Sequence, residues 1–399
     1  MVQILRFTNC FLADCGELKR EDLYVDLDSG IIVGKPEELE DVKVIDLEGK
    51  IITPGFIDIQ INGCFGLDYS MVLDTDVKRE EIVDKYGETM KKLVQYGVTS
   101  ICPTITSSLS DVYKDSLGIF GEKTRCVDKT DSLGVHLEGP FISMEKKGCH
   151  PLNAITAIKG YESLIDRYGE GFEKYTSIIT AAPELEGCVE VIKRVVDNKI
   201  VFSMGHSMSK FDEALEAVKE GASMITHLYN AMPCISAREP GLAGLINAPE
   251  CMLPREKLPF FGIVADGVHV HPAMIKSAFN ANPEKVILVT DAMYLIGLKD
   301  GVYKRGVQEL EKNGKHVLLN GTSTIAGSAT HLIECVVNFT KWTGVPIEIA
   351  VATVTNHPSL SLGLQDKKGF LKIGCDADLN IFNEKFELVN VYKLGYKVK

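Results

Sequence analysis

Short apolar runs alternate with amphipathic segments over most of the chain, from residue 54 onward. Eight runs are typical of buried strands: FIDIQI, TSICPTIT, LGVHLEG, TSIITAAPE, IVFSMGH, SMITHLY, FFGIVADGVH and KVILVTDA. Residues 80–96 and 211–220, which lie between such runs, have the apolar spacing of helices that cover a core on one face. Strands that alternate with helices in this way predict an α/β fold, a (β/α)8 barrel of the TIM type.

The two ends of the chain have a different pattern. Residues 3–53 contain the strand-like runs ILRFTNCFLAD, LYVDLDSGIIVG and KVIDLEGKIITPG, separated by turn residues, and no helical run. The end of the chain, ADLNIFNEKFELVNVYKLGYKVK, is again strand-like. We therefore predict one small β domain built from residues 1–53 and 359–399, which flanks a catalytic barrel of residues 54–358.

Composition narrows the range of partners. The chain has 399 residues, 45% of them hydrophobic, which is enough for a large core. Its formal net charge of -12 disfavours nucleic acid as a partner. It contains no run of eighteen apolar residues, and MVQILRFTNC lacks the charge and apolar pattern of a secretory signal, so we expect neither a membrane span nor a signal peptide.

The cysteines indicate the compartment. There are 11, an odd number, scattered along the chain and never spaced as Cys-x-x-Cys. This pattern is typical of reduced thiols, not of a disulfide framework or a thiolate zinc site. We therefore expect a cytoplasmic protein.

Four polar residues close apolar runs, at the end of the strand where barrel enzymes place their active sites. Glu138 ends LGVHLEG, His206 ends IVFSMGH, His227 follows SMIT, and Asp291 follows KVILVT. Each residue alone is more often structural than catalytic. Together they offer one carboxylate and two imidazoles, a set of three ligands that leaves zinc a fourth position for water.

Longer motifs carry a family resemblance. They are TPGFIDIQINGCFGLDYS, HLEGPFISMEKKGCHP, GHSMS, THLYNAMP, GIVADGVHVHP, LVTDAM, STIAGS and GLQDKKGFLKIGCDADLNIF. In this order, over nearly the whole chain, they resemble the N-acetylglucosamine-6-phosphate deacetylase family of the amidohydrolase superfamily. The resemblance implies a metallo-hydrolase barrel with a small β-sandwich domain formed by both termini. It also implies hydrolysis of N-acetyl-D-glucosamine 6-phosphate to D-glucosamine 6-phosphate and acetate, in a homodimer.

The resemblance also assigns roles to residues. Glu138, His206 and His227 would bind one divalent ion per chain, with zinc expected, although the ligands suit several metals. Asp291, with an ordinary pKa near 3.9, would act as general base and then as general acid. His150 would polarise the acetamide carbonyl. The remaining substrate contacts would be Cys149, Asn230, Ala231, Arg238, Asp266, Gly267, Val268, His269, Ile325, Ala326 and Gly327, with Arg238 and His269 on the phosphate.

Gln60 and Asn62 stand in DIQING, where relatives with two metals have a His-x-His pair. Amides are poor zinc ligands but good hydrogen-bond partners, so we expect these two to order water or groups around a single ion. A second interpretation is that they only satisfy backbone groups inside the barrel.

Other residues leave alternatives open. His269 and His271 form a second His-x-His in GVHVHP, but a loop position favours a phosphate contact for the first and a structural role for the second. His136 is expected to be a packed histidine, and Cys149 to make a backbone contact rather than act as a nucleophile. The alternative for Arg238 is a surface charge of its loop that pairs with the neighbouring Glu239. Two alternative functions are a different amidohydrolase and a barrel without catalysis. The missing His-x-His disfavours the first, and the presence of Glu138, His206, His227 and Asp291 together disfavours the second.

Overall fold

The computed structural model describes residues 4–37, 42–71, 78–306, 308–322 and 325–399. Seven short strands come first: β1 (Ile4–Thr8), β2 (Phe11–Asp14), β3 (Glu17–Arg20), β4 (Leu23–Asp26), β5 (Ile31–Val33), β6 (Val42–Asp46) and β7 (Ile51–Pro54). Six of them coincide with the three runs predicted as strands. The exception is β3, which has three charged residues and is exposed along its whole length.

The barrel follows. Its region contains β8 (Phe56–Ile61), β9 (Gly63–Cys64), β10 (Leu67–Asp68), β11 (Val98–Thr106), β12 (Asp131–Ser132), β13 (Val135–Glu138), β14 (Thr176–Ala181), β15 (Val201–Met204), β16 (Met224–Ile225), β17 (Phe260–Val264) and β18 (Val286–Val289). The strands β8, β11 and β13 to β18 pair side by side, all in parallel. Each of the eight predicted runs contains one of them.

The barrel closes just beyond its last strand. The amide of Asn62 donates to the carbonyl of Ala292 (2.8 Å), and the amide of Asp291 donates to the carbonyl of Gln60 (2.9 Å). These bonds join the chain after β18 to the end of β8. The predicted (β/α)8 fold class is therefore confirmed, and the closure itself brings Asn62 and Asp291 together.

Nine helices occur in the described residues: α1 (Arg79–Leu93), α2 (Ser110–Phe120), α3 (Glu162–Tyr168), α4 (Cys188–Asp197), α5 (Phe211–Lys219), α6 (Pro272–Ala281), α7 (Leu332–Thr343), α8 (Ile347–Ala352) and α9 (Asn356–Ser361). Both predicted helices are present, as α1 and α5. In α1, Ile82, Met90 and Leu93 are buried, as the apolar spacing requires. No described helix combines the length and the apolar character needed to cross a membrane.

An antiparallel sheet that was not predicted is inserted after β18. It consists of β19 (Gly301–Arg305), β20 (Gln308–Asn313), β21 (His316–Leu319) and β22 (Ile325–Ser328), in that order. The amide of Met293 donates to the carbonyl of Ser328 (2.9 Å), which attaches the sheet to the chain that leaves β18. Ile325, Ala326 and Gly327, which the sequence suggested as substrate contacts, form part of β22. Ser323 and Thr324 of the STIAGS motif lie outside the described residues.

Three strands at the end of the chain complete the small domain: β23 (Leu379–Phe382), β24 (Leu388–Lys393) and β25 (Tyr396–Lys397). They join the first strands in a six-stranded sheet of order β25-β24-β23-β7-β2-β3. A four-stranded sheet of order β5-β4-β1-β6 shares its core, where Phe7 meets Tyr392 edge to face. The boundaries at 53/54 and 358/359 stay predictions, and the second falls inside α9.

A buried ionic cluster joins the small domain to the barrel. Lys393, whose side chain is fully buried, places Nζ 2.8 Å from Asp131 on β12 and 2.7 Å from Asp378. Lys368 contacts the same two carboxylates, each at 2.9 Å. Burial alone would raise the pKa of Asp378, but the two ammonium groups lower it to about 2. Removing one partner of a buried ion pair typically costs about 3–5 kcal/mol, so the cluster fixes the position of the small domain.

Candidate active site

The four strand-end residues meet at the carboxyl end of the barrel. Glu138 is the last residue of β13, and His206, His227 and Asp291 each lie two residues beyond the end of β15, β16 and β18. These last three have left-handed backbones, with φ of 50°, 30° and 46°. Such conformations are uncommon for residues other than glycine and occur where a structure holds a functional side chain against strain. Here the side chains of all three residues line one cavity.

Three ligand atoms converge at this point. Glu138 Oε1 lies 2.9 Å from His206 Nε2 and 3.0 Å from His227 Nε2, and the two nitrogens are 3.0 Å apart. All three side chains are buried. Tetrahedral ligands about 2.0–2.1 Å from zinc stand roughly 3.3 Å from one another. Among the described residues, only this group of carboxylate and imidazole atoms is arranged to hold a metal ion.

The protonation of His206 supports this interpretation. Its Nδ1 faces the carbonyl oxygen of Lys146 at 2.8 Å, and a carbonyl can only accept, so the proton is on Nδ1. In the neutral ring, Nε2 then has a lone pair, which points at the Glu138 carboxylate and at His227 Nε2. A cation between them would turn this contact into coordination. The carbonyl that orients the ring is the outer partner that metal-binding histidines usually have.

Asp291 lies beside the three ligands. Its Oδ1 accepts a hydrogen bond from Asn62 Nδ2 at 2.7 Å, and Oδ2 has no partner among the described residues. Burial raises the pKa of Asp291 above the ordinary value assumed from the sequence, and the negative charge of Glu138 adds to this effect. A carboxyl with a raised pKa is better suited to take a proton and return it than an ordinary aspartate.

The two amides of DIQING contact carboxylates, not only backbone groups. Gln60 Nε2 donates to Glu138 Oε2 at 3.3 Å, and Asn62 donates to Asp291 as described above. Gln60 thus orients the carboxylate of Glu138, and Asn62 orients the carboxylate of Asp291. His136 is a packed residue: Nδ1 donates to the carbonyl of Ile59 (3.0 Å) and Nε2 accepts from the Thr180 hydroxyl (2.7 Å).

His150 offers a single hydrogen-bond donor. Its ring lies 4.4 Å from that of His206, and its Nδ1 accepts from the backbone amide of Ser107 (3.3 Å) and from the Ser107 hydroxyl (2.6 Å). Burial lowers the pKa of His150 well below its ordinary value, so the ring is neutral. The proton is therefore on Nε2, where it can meet a carbonyl oxygen.

These side chains surround a cavity of about 240 Å³. Its lining contains thirteen of the predicted site residues: Asn62, Glu138, Cys149, His150, His206, His227, Asn230, Ala231, His269, Asp291, Ile325, Ala326 and Gly327. In the described part of the chain, Gln60, Arg238, Asp266, Gly267 and Val268 do not line it. The Sγ of Cys149 donates to the carbonyl of Ile325 (3.8 Å), and its contact with the substrate stays a prediction.

The ADGVH turn positions a histidine. Asp266 is buried, and its carboxylate accepts from the ring of His269 (2.6 Å) and from the amides of Val268 and His269 (2.8 and 2.9 Å). Burial lowers the pKa of His269, but the adjacent Asp266 carboxylate outweighs it, so the pKa is raised. His271 faces elsewhere and caps α6 through its Nδ1. The second His-x-His is therefore not a metal pair.

Arg238 does not line the cavity of its own chain. It is exposed on the loop that follows His227. Its neighbour Glu239 accepts hydrogen bonds from the amides of Phe211 and Gly241 (2.9 and 3.0 Å) and forms no ion pair with Arg238 in the described residues. Arg238 is thus a surface charge of a loop, as in the alternative interpretation, but in the described residues it is not paired with Glu239. Its contact with a phosphate stays a prediction.

Four lining residues were not predicted: Thr106, Gly148, Met293 and Arg305. Arg305 is the most unexpected of them. It ends β19, its side chain is only 12% exposed, and its Nε donates to Asp68 at 2.7 Å. The apolar runs of the barrel carry no signal for it, because it reaches the cavity from the inserted sheet.

Comparisons with known proteins agree with this geometry. Residues 51–398 match the amidohydrolase family. N-acetylglucosamine-6-phosphate deacetylase of Caenorhabditis elegans is 36% identical over 99% of this chain and 94% of its own, and the Homo sapiens protein of that name is 37% identical over 98% and 95%.

A solved structure supports the same relationship. N-acetyl-D-glucosamine-6-phosphate deacetylase of Mycobacterium smegmatis, a mutant in complex with N-acetyl-D-glucosamine-6-phosphate, superposes with a TM-score of 0.83 at 25% identity, covering 100% of this chain and 99% of its own. The resemblance inferred from the motifs is confirmed. The chain belongs to the amidohydrolase family, in which it groups with the N-acetylglucosamine-6-phosphate deacetylases.

Proposed function

We propose that this chain hydrolyses N-acetyl-D-glucosamine 6-phosphate to D-glucosamine 6-phosphate and acetate, as an enzyme of amino-sugar metabolism. The observation that carries the proposal is the convergence of Glu138, His206 and His227 beside Asp291. It occurs in a chain that aligns over 98–99% of its length with deacetylases of that name. Glu138, His206 and His227 would hold one divalent ion, and zinc fits best because two imidazoles and a carboxylate leave it an open fourth position.

A metal ion bound there would supply Lewis acidity, which activates water and polarises the amide carbonyl. The other steps belong to the protein. Asp291 Oδ2 takes a proton from the attacking water, whose oxygen bonds to the carbonyl carbon. His150 donates from Nε2 to the carbonyl oxygen as charge develops on it. When the C–N bond breaks, Asp291 returns its proton to the amine nitrogen, and acetate is left.

The phosphate would lie on the side of His269, whose raised pKa favours a cationic ring. Arg238 would complete the binding of the phosphate, and since Arg238 does not line the cavity of its own chain, it would do so across a homodimer. All 11 cysteines are unpaired, which supports a reducing, cytoplasmic location.

Acetate release tests the function directly. Purified protein should release acetate from N-acetyl-D-glucosamine 6-phosphate and only slowly from the sugar without phosphate, because His269 and Arg238 would then have no anion to bind. An enzymatic acetate assay over a panel of N-acetylated sugars measures this. Equal rates with and without phosphate would contradict the proposed substrate, and no release from any sugar would contradict the deacetylase activity.

Arg238→Ala should lower kcat/KM for the phosphorylated substrate by about ten- to a thousand-fold, because forked guanidinium contacts to phosphate are strong and their loss leaves a charge uncompensated. Activity on the unphosphorylated sugar should start low and stay nearly the same. Arg255→Ala, another exposed arginine that does not line the cavity, serves as the matched control. An equal loss on both sugars would mean that Arg238 supports the fold and does not bind the phosphate.

A further inference from the structure

A second cavity, of about 690 Å³, adjoins the first. Five residues line both cavities and form the border between them: Thr106, Gly148, Cys149, His150 and Arg305. In the described part of the chain, the second cavity includes none of the three metal-binding candidates, and Asp291 and His269 line only the first. It is therefore a separate chamber that begins at His150.

Most of the wall of this chamber is apolar, and Ser70, Lys147 and Asn153 add polar groups to it. The side chains of Met71, Leu109, Val112, Pro151, Leu152 and Leu319 line it. The nearby hydroxyls have partners of their own, since Ser107 bonds to His150 and Ser108 donates to the carbonyl of Thr106 (2.9 Å). Leu109 and Leu152 are more than half exposed, at 52% and 59%, so the far end opens to solvent. Such a wall suits a hydrocarbon chain better than a sugar.

Arg305 provides a cation at the border. Asp68 holds its Nε at 2.7 Å, and Asp68 is itself fixed by the amide of Ser70, which donates to Oδ1 at 2.9 Å. Among the described residues the two Nη groups of Arg305 have no hydrogen-bond partner. The side chain is thus anchored at one edge and has donors available on the other, the arrangement in which a guanidinium binds a carboxylate.

The reaction places an acyl group at this border. This step depends on the proposed function: the amide carbonyl oxygen would lie at His150 Nε2, while the sugar and its phosphate would lie toward Asn230 and His269. The substituent on the carbonyl carbon would then extend past His150 into the second chamber. Water adds its oxygen to that carbon, the C–N bond breaks, both water protons end on the amine nitrogen as an ammonium group, and a neutral amide becomes a carboxylate anion next to Arg305.

We propose that the second chamber is an acyl pocket. It lets the enzyme remove straight-chain acyl groups longer than acetyl, such as propanoyl and butanoyl, from glucosamine 6-phosphate, and Arg305 binds the carboxylate that is released.

The activity test compares N-acetyl, N-propanoyl and N-butanoyl glucosamine 6-phosphate. For the protein as it stands, kcat/KM for the butanoyl substrate should be within about tenfold of that for the acetyl substrate, since the apolar wall accepts the two added methylenes. Leu319→Trp and Leu152→Trp, which fill the chamber, should lower the ratio of butanoyl to acetyl kcat/KM by about tenfold or more. Leu360→Trp, an exposed leucine that lines neither chamber, is the control.

Calorimetric measurement of butanoate binding tests the pocket independently of the deacetylase activity. Arg305→Gln, combined with Asp68→Asn so that no buried carboxylate is left unpaired, should weaken butanoate binding about tenfold or more, because hydrogen bonds to charged groups are worth about 1.5–3 kcal/mol. Leu319→Trp should weaken it as well.

The outcomes separate the two proposals. Cleavage of the acetyl substrate with no cleavage of the longer ones, or butanoate binding that is the same in all variants, would overturn the acyl pocket and leave the deacetylase proposal intact. Butanoate binding that depends on Arg305 and Leu319, without release of acetate, would support the pocket and overturn the proposed function.

Discussion

Replacing His206 or His227 by alanine is expected to remove both the bound metal and the deacetylase activity. Each supplies one of the three atoms that converge within 3.0 Å of one another, and two ligands do not retain a divalent ion in a site built for three. Losing a Lewis acid worth several kcal/mol corresponds to at least about a thousand-fold in rate. Elemental analysis of protein purified without chelator, together with the acetate assay, measures both effects.

The unsubstituted protein should contain close to one ion per chain, because Gln60 and Asn62 stand where a second ion would need imidazoles. His316→Ala is a suitable control, since this histidine is exposed on β21 and does not line the cavity. A reproducible content near two ions per chain would contradict the single-ion interpretation. Full metal content in the His206→Ala protein would remove that residue from the ligand set.

Asp291→Asn is expected to lower kcat by roughly a hundred- to ten-thousand-fold, the usual contribution of a general acid–base group. The amide keeps the shape of the side chain and its contact with Asn62 but cannot take a proton from water. The ligand atoms of Glu138, His206 and His227 are untouched, so metal content should be unchanged. Steady-state assays at saturating substrate measure kcat, and elemental analysis of the same protein measures its metal content. Together they distinguish a slower catalytic step from a lost metal ion.

Asp28→Asn, a change at an exposed aspartate in the small domain, controls for the effect of the substitution itself. If the Asp291→Asn protein keeps more than half of the original kcat, Asp291 is not the proton carrier. If it loses its metal instead, its role is in holding the ion.

Burial decided which parts of the fold could be predicted. The barrel strands are buried on both faces, so they appear as continuous apolar runs, and even the two-residue strand β16 lies inside one. The strands β19 and β20, GVYKR and QELEKN, contain several charged residues and are held by backbone pairing with each other, which leaves no apolar run to detect. The same reason applies to β3.

The residues of the candidate site likewise fall into those that the sequence predicts and those that it does not. Glu138, His206, His227 and Asp291 were predictable because parallel strands all bring their carboxyl ends to one edge of the barrel. Arg305 was not, since its place in the cavity depends on how a separate sheet folds back over the barrel and on its ion pair with Asp68. The position of Arg238 outside its own cavity also has no signature in the local sequence.

The pairing of β7 with β23 constrains how this protein is made. Ile51 is aligned with Phe382 and Pro54 with Leu379, so the ribosome must synthesise the entire barrel between the two partners. At roughly 5–20 residues per second, the first strands wait for tens of seconds with an open edge. A chain whose synthesis stops within the barrel lacks β23, so the edge of β7 stays unpaired. The apolar surface around Phe7, which Tyr392 covers in the complete chain, is then exposed as well. We therefore expect premature termination products to be substrates for chaperones and proteases rather than partly active enzymes.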